Sequence, residues 1–272
     1  MSPSMTLAQR IASEADGWYW EPPDSIEWST PYFTVVSSSL EWYGTVVTRT
    51  RCRSDRIDAV IAEAIEWARS QKAVQLRWRV SPASEPPNLA TRLGGTGFDL
   101  LETVDIVSLG LESRTIADLR GRCVFPNVST RAVDDEQAFG AFAQVSAKAW
   151  GGPAPTEEEL HRRFAAFDAE RSGTRVPTSF LSEVDGSPAA VADLTLREAT
   201  ARLWGAATLP KFRHRGAYRA LVAERCSRAF EVGANLALAK ALTNTSAPIL
   251  TGLGFKLHNH EDTYIIELAP RT

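Results

Sequence analysis

The sequence contains no long apolar run, little cysteine and no large excess of charge of either sign. No uninterrupted apolar stretch in its 272 residues approaches the ~20 needed to span a bilayer. The N-terminal segment has no apolar core of the signal-peptide type. The net charge is −3, which gives no bulk attraction to nucleic acid or to anionic membranes. We therefore expect neither a nucleic acid nor a membrane as a partner.

Cys52, Cys123 and Cys226 are an odd number of scattered cysteines, without a CxxC pair. This pattern indicates reduced thiols in a cytoplasmic protein, where they act as small buried apolar side chains. No cysteine has a nearby His or acidic partner that would suggest a metal site, and His258 and His260 lack a third spaced ligand. The sequence therefore predicts no metal site.

The composition is that of a globular protein, with 44% hydrophobic and 23% charged residues, and the length predicts two compact domains. Tryptophan and charge are distributed unevenly between them. Residues 1–112 contain six of the eight tryptophans and carry 10 Lys and Arg against 15 Asp and Glu, whereas the remainder carries 20 against 18. We predict domains over 1–112 and 128–272, joined by a polar linker at 113–127.

Both parts of the chain have the same predicted order of helix, strand, short helix, Gly-Phe and strands. Gly97-Phe98 and Gly254-Phe255 mark equivalent points. This order predicts an internal repeat of roughly 150 residues, with two unrelated α+β halves as the alternative. Residues 17–30 are predicted to be irregular, and 255–268 to form a terminal strand pair.

The most informative stretch is Gly205–Leu221, GAATLPKFRHRGAYRAL, where a predicted strand leads through a cationic loop into a helix. Unpaired amides and the dipole at a helix N-terminus favour an anion. Gly216 permits close approach to the backbone, and Arg213 and Arg215 can donate charge-assisted hydrogen bonds. The segment predicts a pyrophosphate site, with a basic, solvated helix-capping turn as the alternative.

This segment resembles the acetyl-CoA-binding motif of the GCN5-related N-acetyltransferase (GNAT) superfamily, Arg/Gln-x-x-Gly-x-Gly/Ala. The likeness covers about residues 128–268, and it departs from the motif where Tyr218 replaces a small residue. The resemblance implies an α+β chain of two GNAT-like units, each a mixed, mostly antiparallel twisted sheet flanked by helices. The first unit resembles a degenerate copy, because Arg49–Asp55 has three arginines but no glycine.

The resemblance also implies how acetyl-CoA, the acyl donor, is bound. Strand 201–209 splays from strand 236–242, pantetheine lies in the gap, and the loop amides hold the pyrophosphate. Asn244 is implied to contact the pantetheine arm, with a turn or capping role as the alternative. The implied cofactor-binding residues are Ala207, Thr208, Leu209, Arg213, His214, Arg215, Gly216, Ala217, Tyr218 and Asn244.

Two carboxylates are candidates for the catalytic base. Asp193 interrupts the apolar strand AAVADLTL, where a carboxylate is costly unless it is paired or faces a cleft. Glu183, on the preceding strand, is the second candidate, and a solvent-facing or ion-paired role is the alternative for both. Leu250 occupies the position at which many family members have a Tyr acid, so the sequence supplies no general acid there.

The acceptor is expected to meet an aromatic cluster of Trp18, Trp20 and Trp28, beside several carboxylates, which suits a cationic or ring-bearing amine. A core or interface cluster is the alternative for these rings. His258 and His260 are interpreted as surface turn residues, with a place in an acceptor pocket as the alternative.

The sequence therefore predicts an acetyl-CoA-dependent N-acetyltransferase that acts on the amine of a small molecule by direct attack in a ternary complex. We expect a cytoplasmic monomer or homodimer. The alternatives are a non-catalytic acyl-CoA-binding or ligand-sensing protein and a peptide N-terminal acetyltransferase.

Overall fold

The computed structural model describes residues 5–19, 21–22, 24–39, 43–171, 173, 176 and 178–268. The chain divides into two compact units. The first consists of Met1–Ile106, Ala241–Pro248 and Leu257–Thr272, and the second of Val107–Lys240 and Ile249–Lys256. The predicted C-terminal domain thus differs from the second unit, because segments after residue 240 belong to the first. The boundaries at 112 and 128 stay a prediction.

The first unit contains a sheet in the order β1-β2-β3-β4-β11. Strands β1, β2 and β3 pair antiparallel, β3 and β4 pair parallel, and β11 pairs antiparallel with β4. Its elements are α1 (Leu7–Asp16), β1 (Ile26–Ser29), β2 (Phe33–Ser37), β3 (Thr45–Thr50), α2 (Ile57–Ser70), β4 (Gln75–Val80), α3 (Leu89–Gly95), the start of β5 (Asp99–Gly110) and most of β11 (Lys256–Glu267).

Helix α2 shows how the sequence builds the core of this unit. Ile57, Val60, Ile61, Ala64 and Ala68 recur at helical spacing, and all are buried. They pack into one cluster, whose other fully buried members include Phe33, Leu76 and Trp78. The helical spacing of these apolar residues therefore accounts for the buried face of α2.

The second unit contains a sheet in the order β10-β9-β8-β7-β6. Strands β6 to β9 pair antiparallel, and β9 pairs parallel with β10. Its elements are α4 (Ser113–Arg122), β6 (Val128–Ala132), α5 (Glu136–Trp150), α6 (Glu157–Arg171), β7 (Ser179–Val184), β8 (Ser187–Arg197), β9 (Thr200–Thr208), α7 (Ala217–Glu231) and most of β10 (Leu236–Leu242), while α8 (Ser246–Gly252) has residues in both units.

Three segments differ from the sequence expectation. The predicted linker contains helix α4, which packs on α7. Only Ile116 and Leu119 of this helix are buried, so its mostly polar sequence did not indicate a helix. The expected terminal strand pair is the single strand β11, since HNHEDTY contains no turn residue pair. The segment 17–30, expected to be irregular, contains the edge strand β1.

Candidate functional site

Strands β9 and β10 pair over only part of their length. Thr200–Leu203 pair in parallel with Leu236–Ala239, and both strands then continue without further register between them. Beyond Leu203, β9 stays hydrogen-bonded to β8 as far as Thr208. The splay that the resemblance implies is therefore confirmed. Among the described residues, no strand pairs with the edge of β9 that faces away from β8 at residues 204–208, which include Ala207 and Thr208.

A bulge in β9 lies at the point where the strands separate. Asp193 is opposite Trp204 whereas Val191 is opposite Ala207, so β9 has one residue more than β8 in this interval. Gly205 lies in the bulge with φ +59°, and a Cβ on it would clash with Asp193 Oδ2. Only glycine therefore lets the carboxylate lie against the backbone here. The sequence analysis missed this contact, although a glycine inside a predicted strand is a signal of a bulge.

Asp193 is held at the bulge by hydrogen bonds. Its Oδ1 accepts from Ser179 Oγ at 2.7 Å, and Ser179 is its partner in the β7–β8 register. Burial raises the pKa of Asp193 to about 7, although the Ser179 hydrogen bond and the charge of Arg225 act in the opposite direction. A carboxyl group with this pKa exchanges a proton near neutral pH, as a general base must.

Arg225 joins the bulge to helix α7. It is 1% exposed, and its Nη1 donates to the main-chain oxygens of Asp193 (2.8 Å) and Trp204 (3.3 Å), while its Nε donates to Leu221 O. The sequence analysis did not identify this residue. Its signal was present, because Leu221, Arg225 and Ala229 follow one another at four-residue spacing on the buried side of the helix.

The loop between β9 and α7 has a constrained backbone. Leu209 N donates to Ala189 O at 2.9 Å, and a short 3₁₀ turn at Pro210–Phe212 follows. His214 (φ +62°) and Gly216 (φ +93°) both have left-handed conformations, and helix α7 begins at Ala217. No side chain among the described residues caps the first turn of this helix. Its amides are therefore available to an anion.

Gly216 is fixed by packing as well as by its backbone conformation. The ring of Phe125 lies so close to its Cα that a Cβ would come within 2.5 Å of the ring carbons. The Arg219 guanidinium stacks over the same ring, with its Cζ 5.5 Å from the ring centroid. Phe125 therefore holds the loop from one side, and another residue at 216 would displace it.

The two loop arginines that were predicted to bind phosphate differ in their contacts. Arg213 is exposed, and its Nε lies 3.4 Å from Thr208 O. Arg215 forms an ion pair with Asp185, with 42% of its side chain exposed. Both residues precede α7 in the loop, and each keeps donors for a further acceptor, since a guanidinium group carries five N–H groups.

Three nearby side chains supply neither a base nor an acyl carrier at neutral pH. Leu250 is 1% exposed and has no proton to donate. Burial raises the pKa of Tyr218 and raises that of Cys226 to about 12, so both stay protonated at neutral pH. A buried neutral thiol is a poor nucleophile, which agrees with the expectation that Cys226 is no acyl carrier.

The structure does not bring Glu183 to the bulge. In β7 it lies four residues beyond Ser179, the partner of Asp193, which is about 13 Å along a strand. Its Oε2 lies 3.5 Å from Ser129 Oγ. Of the two predicted bases, only Asp193 lies where β9 separates from β10.

The predicted acceptor-binding tryptophans belong to the first unit. Trp28 stacks on Trp67 with ring centroids 5.7 Å apart, meets Phe33 edge-on and packs against the core. Trp18 is half-buried and accepts a hydrogen bond from Arg79 through its main-chain oxygen. Trp20 lies outside the described residues. Asn244 is exposed in the segment Ala241–Pro248, also part of the first unit.

Within the described ranges, no group of three or more His, Cys, Asp or Glu side chains could hold a metal ion. No helix among the described residues is both long and apolar enough to span a membrane.

The fold is that of GNAT acetyltransferases. Similar solved structures include a GCN5-related N-acetyltransferase from Kribbella flavida, with 18% identity, 98% of both chains covered and a TM-score of 0.63. One from Sphaerobacter thermophilus has 14% identity, covers 96% of this chain and 91% of that chain, and has a TM-score of 0.65.

A tandem GNAT protein from the clavulanic acid biosynthesis pathway is also similar, with 15% identity, 96% and 89% of the two chains covered and a TM-score of 0.61. No protein-family model matches the chain, and no curated protein matches its sequence significantly. At these identities the likeness establishes the fold alone.

Proposed function

We propose that the protein is an acetyl-CoA-dependent N-acetyltransferase that acetylates the amine of a small molecule by direct attack in a ternary complex. The observation that carries this proposal is the separation of β9 from β10, which leads into a cationic loop and an uncapped helix N-terminus. An unpaired strand edge suits the amide groups of pantetheine, which can hydrogen-bond to it as an added strand does. The helix N-terminus suits the pyrophosphate.

The residues present fit acetyl-CoA in charge and in the main-chain groups that they offer. Main-chain groups of Ala207, Thr208 and Leu209 would meet the pantetheine arm. The amides from His214 to Tyr218, including those of Gly216 and Ala217, would hold the pyrophosphate, and Arg213 and Arg215 would add charge. Asn244 is proposed to contact the same arm, as the resemblance implies.

Asp193 is the proposed base. Amide formation requires a neutral amine, whose lone pair forms the C–N bond while the C–S bond of the thioester breaks. Asp193 accepts the proton that the amine nitrogen loses, and its pKa of about 7 suits this task near neutral pH. Glu183 is the weaker candidate because of its distance along β7. The departing thiolate takes its proton from water, since Leu250 supplies none.

The remaining features of the proposal concern the protein as a whole. The thiols of Cys52, Cys123 and Cys226 are buried and free, as in a protein of the reducing cytoplasm, where we place its activity. We also propose that Trp18 and Trp20 take part in acceptor binding. The protein is proposed to be a monomer or homodimer, and its two domains to be a repeat.

A second candidate function is a sensor that binds acyl-CoA without turnover. Leu250 favours it, because a buried leucine replaces the Tyr acid of many family members. Tyr218 favours it too, since its bulk at the start of α7 changes the fit of the cofactor.

One experiment separates the two functions. Acetyl-CoA binding is measured by calorimetry, and CoA release is measured with a thiol reagent against a panel of small primary amines and, separately, of peptides with free N-termini. We expect binding together with turnover of small amines. Tight binding without turnover on the whole panel would establish the sensor, and absence of binding would refute both.

A further inference from the structure

Arg225 is a buried charge whose hydrogen bonds all lie within the second unit. It is 1% exposed, and its three acceptors are the main-chain oxygens of Asp193, Trp204 and Leu221. Among the described residues, no carboxylate bonds to its guanidinium group. Taking an arginine out of water is costly, and an apolar side chain of similar length often replaces a buried charge without loss of stability. Packing alone therefore does not account for an arginine at this position.

The bulge between β8 and β9 accounts for it. A bulge interrupts the hydrogen-bonding ladder of a sheet, and the main-chain groups beside it need other partners. Arg225 Nη1 donates to Asp193 O at 2.8 Å and to Trp204 O at 3.3 Å, and these two residues are opposite each other in the register. One guanidinium nitrogen thus joins both strands just beyond Leu203, where the pairing of β9 with β10 ends.

The same contact fixes the backbone that carries the Asp193 carboxylate. Its Oδ1 accepts a hydrogen bond from Ser179 on β7, and its Oδ2 lies where a Cβ on Gly205 of β9 would clash with it. Its main-chain oxygen is bonded to α7 through Arg225. The carboxylate is therefore held from three elements, two of them strands and the third a helix.

Helix α7 connects this carboxylate with the proposed pyrophosphate site. Its uncapped N-terminus is at Ala217, and Arg225 lies eight residues later, which is about 12 Å along the helix axis. The helix packs on β6, β7, β8 and β9. A single packed helix thus carries both the amides offered to the cofactor and the side chain that holds the base.

We propose that Arg225 is a positioning residue for acetyl transfer: it holds the bulge against helix α7 and so keeps the Asp193 carboxylate at the point where β9 separates from β10. This inference deepens the proposed function and rests on it. Arg225 acts through Asp193 and not on the substrate. Without it the carboxylate remains but its backbone loses this support, and a misplacement of about 1 Å costs on the order of 10²-fold in rate.

The charge of Arg225 has a second effect, which can be separated from its hydrogen bonds. Burial raises the pKa of Asp193 to about 7, while the Ser179 hydrogen bond and the Arg225 charge lower it. Loss of the charge should therefore move this pKa further upward. A lysine at position 225 keeps the charge but not the forked geometry of the donors.

Other titratable groups near the bulge do not share in this effect. Tyr218 and Cys226 face Arg225 on its own helix, and burial keeps both protonated at neutral pH. The charged side chains of β7, β9 and α5, which also pack on β8, are Glu183, Arg202, Glu136 and Lys148. Neither strand residue is opposite Asp193 in the register, and both α5 side chains are exposed.

The test compares Arg225→Gln, which removes the charge, with Arg225→Lys, which keeps it. Arg228→Gln is the matched control, because it removes an exposed arginine of the same helix that is paired with Glu224. Calorimetry gives the affinity for acetyl-CoA, and rates are measured between pH 6 and 9.5 with the first amine of the panel that is acetylated. We expect Arg225→Gln to lower the maximal kcat about 10²-fold, with acetyl-CoA affinity within about twofold of wild type.

The distinguishing result is the pH profile. The rise in activity near pH 7 should move to higher pH in Arg225→Gln and stay in place in Arg225→Lys and Arg228→Gln, while Arg225→Lys shows a smaller loss of kcat. An arginine with a structural role alone would lower the melting temperature and leave kcat and the profile of the folded enzyme unchanged, which would overturn the inference. If Arg225→Gln does not fold, a kcat of Arg225→Lys equal to that of the control would overturn it.

A second readout needs no turnover. In protein with ¹³C-labelled aspartate carboxyl groups, the signal of Asp193 is the one missing from Asp193→Asn. It should titrate at higher pH in Arg225→Gln than in wild type or Arg228→Gln, and equal titrations would contradict the inference. If the wild type acetylates no amine, the proposed function fails and the inference fails with it. If the wild type turns over and Arg225→Gln behaves as the control does, only the inference fails.

Discussion

Each unit contains a strand, a cationic loop, a helix and a parallel strand in the same order, and in both units the parallel pairing ends before the strands do, but in the first a ring and a crossing segment fill the space beyond it. In the second unit, pairing of β9 with β10 ends at Leu203 and Ala239. In the first, pairing of β3 with β4 ends at Val47 and Trp78. The last paired residue of the second strand is therefore Ala239, with a methyl group, in the second unit and Trp78, with an indole ring, in the first.

In the first unit the indole ring of Trp78 fills the space between β3 and β4 that corresponds to the gap between β9 and β10. Trp78 is fully buried, and its Nε1 donates to Thr50 Oγ1 at 2.9 Å. Glu85 then closes the remaining edge, because its main chain bonds to Thr50 O and Cys52 N. The first unit therefore keeps the architecture of the second but has a packed ring and a crossing segment in place of the gap.

The loops that lead into α2 and α7 also differ between the two units. Helix α2 follows Arg56, which has a right-handed conformation and stacks over Tyr32, whereas α7 follows a left-handed glycine. Arg51 and Arg53 are paired with Asp16 and Asp55. At the bulge of β3, Val35 and Thr34 take the facing positions, and neither is a carboxylate. The loop of the first unit therefore has positive charge but lacks the left-handed glycine that precedes the uncapped helix start of the second unit.

The largest expected effect concerns the carboxylate that only the second unit has at its bulge. Asp193→Asn should lower kcat by about 10²- to 10⁴-fold, because the amide cannot accept the proton, while acetyl-CoA affinity stays the same. Stopped-flow measurement of CoA release against pH checks it. Wild-type activity should rise through pH 7, and the variant should lose this limb. A comparable loss in Glu183→Gln would instead identify Glu183 as the base.

The next effect concerns the ring that closes the first unit. Trp78→Ala should destabilise the protein by about 3–5 kcal/mol, as large-to-small changes in a core do, and should not create a second site for acetyl-CoA. Denaturant titration gives the stability, and calorimetry gives the stoichiometry. Trp67→Ala, which removes a less buried ring from the same core, should cost less. A second binding event in Trp78→Ala would show that the ring alone blocks a working site.

The two loops can be compared directly by removing matched arginines. Arg213→Ala with Arg215→Ala should weaken acetyl-CoA binding about 10- to 100-fold, since two charge-assisted contacts are lost. Arg51→Ala with Arg53→Ala removes the same charge from the first unit and should leave the dissociation constant within about twofold. Equal effects of the two double variants would mean that net charge, not the loop, attracts the ligand.

The last effect is on stability and is spread over several pH units. The folded pKa of Asp193, about 7, lies above its ordinary value of 3.8, so the native state holds a proton that the unfolded state has lost between these values. The free energy of unfolding should therefore fall as pH rises from about 4 to 7, by at most ~1.4 kcal/mol per pH unit. Urea titrations should show a flatter profile in Asp193→Asn, and an unchanged slope would contradict the buried carboxyl.

The sequence predicted those features of the site that depend on neighbouring residues. The loop from Leu209 to Gly216 was recognisable because strand, cations, glycine and helix follow one another. Asp193 was recognisable as a carboxylate within an apolar strand. Both predictions rest on local order, which the periodicity and spacing of a single chain reveal.

The contacts that the sequence did not predict are non-local. His260 and Asp105 are 155 positions apart, and Arg79 and Glu261, which form a buried ion pair, are 182 apart. Such pairs depend on the register between β11 and its neighbours, and a shift of one residue would turn His260 to the other face. Nothing in the local pattern fixes that register.

The position of strand β11 in the chain also determines which of the two units is completed first during synthesis. It follows the whole of the second unit along the chain, yet it pairs with β4 from Gln75 to Val80 and so belongs to the first. A ribosome therefore releases the second unit's strands before the first unit's sheet is complete. The unit that is synthesised first is finished last, and until then the edge of β4 lacks the strand that covers it in the native fold.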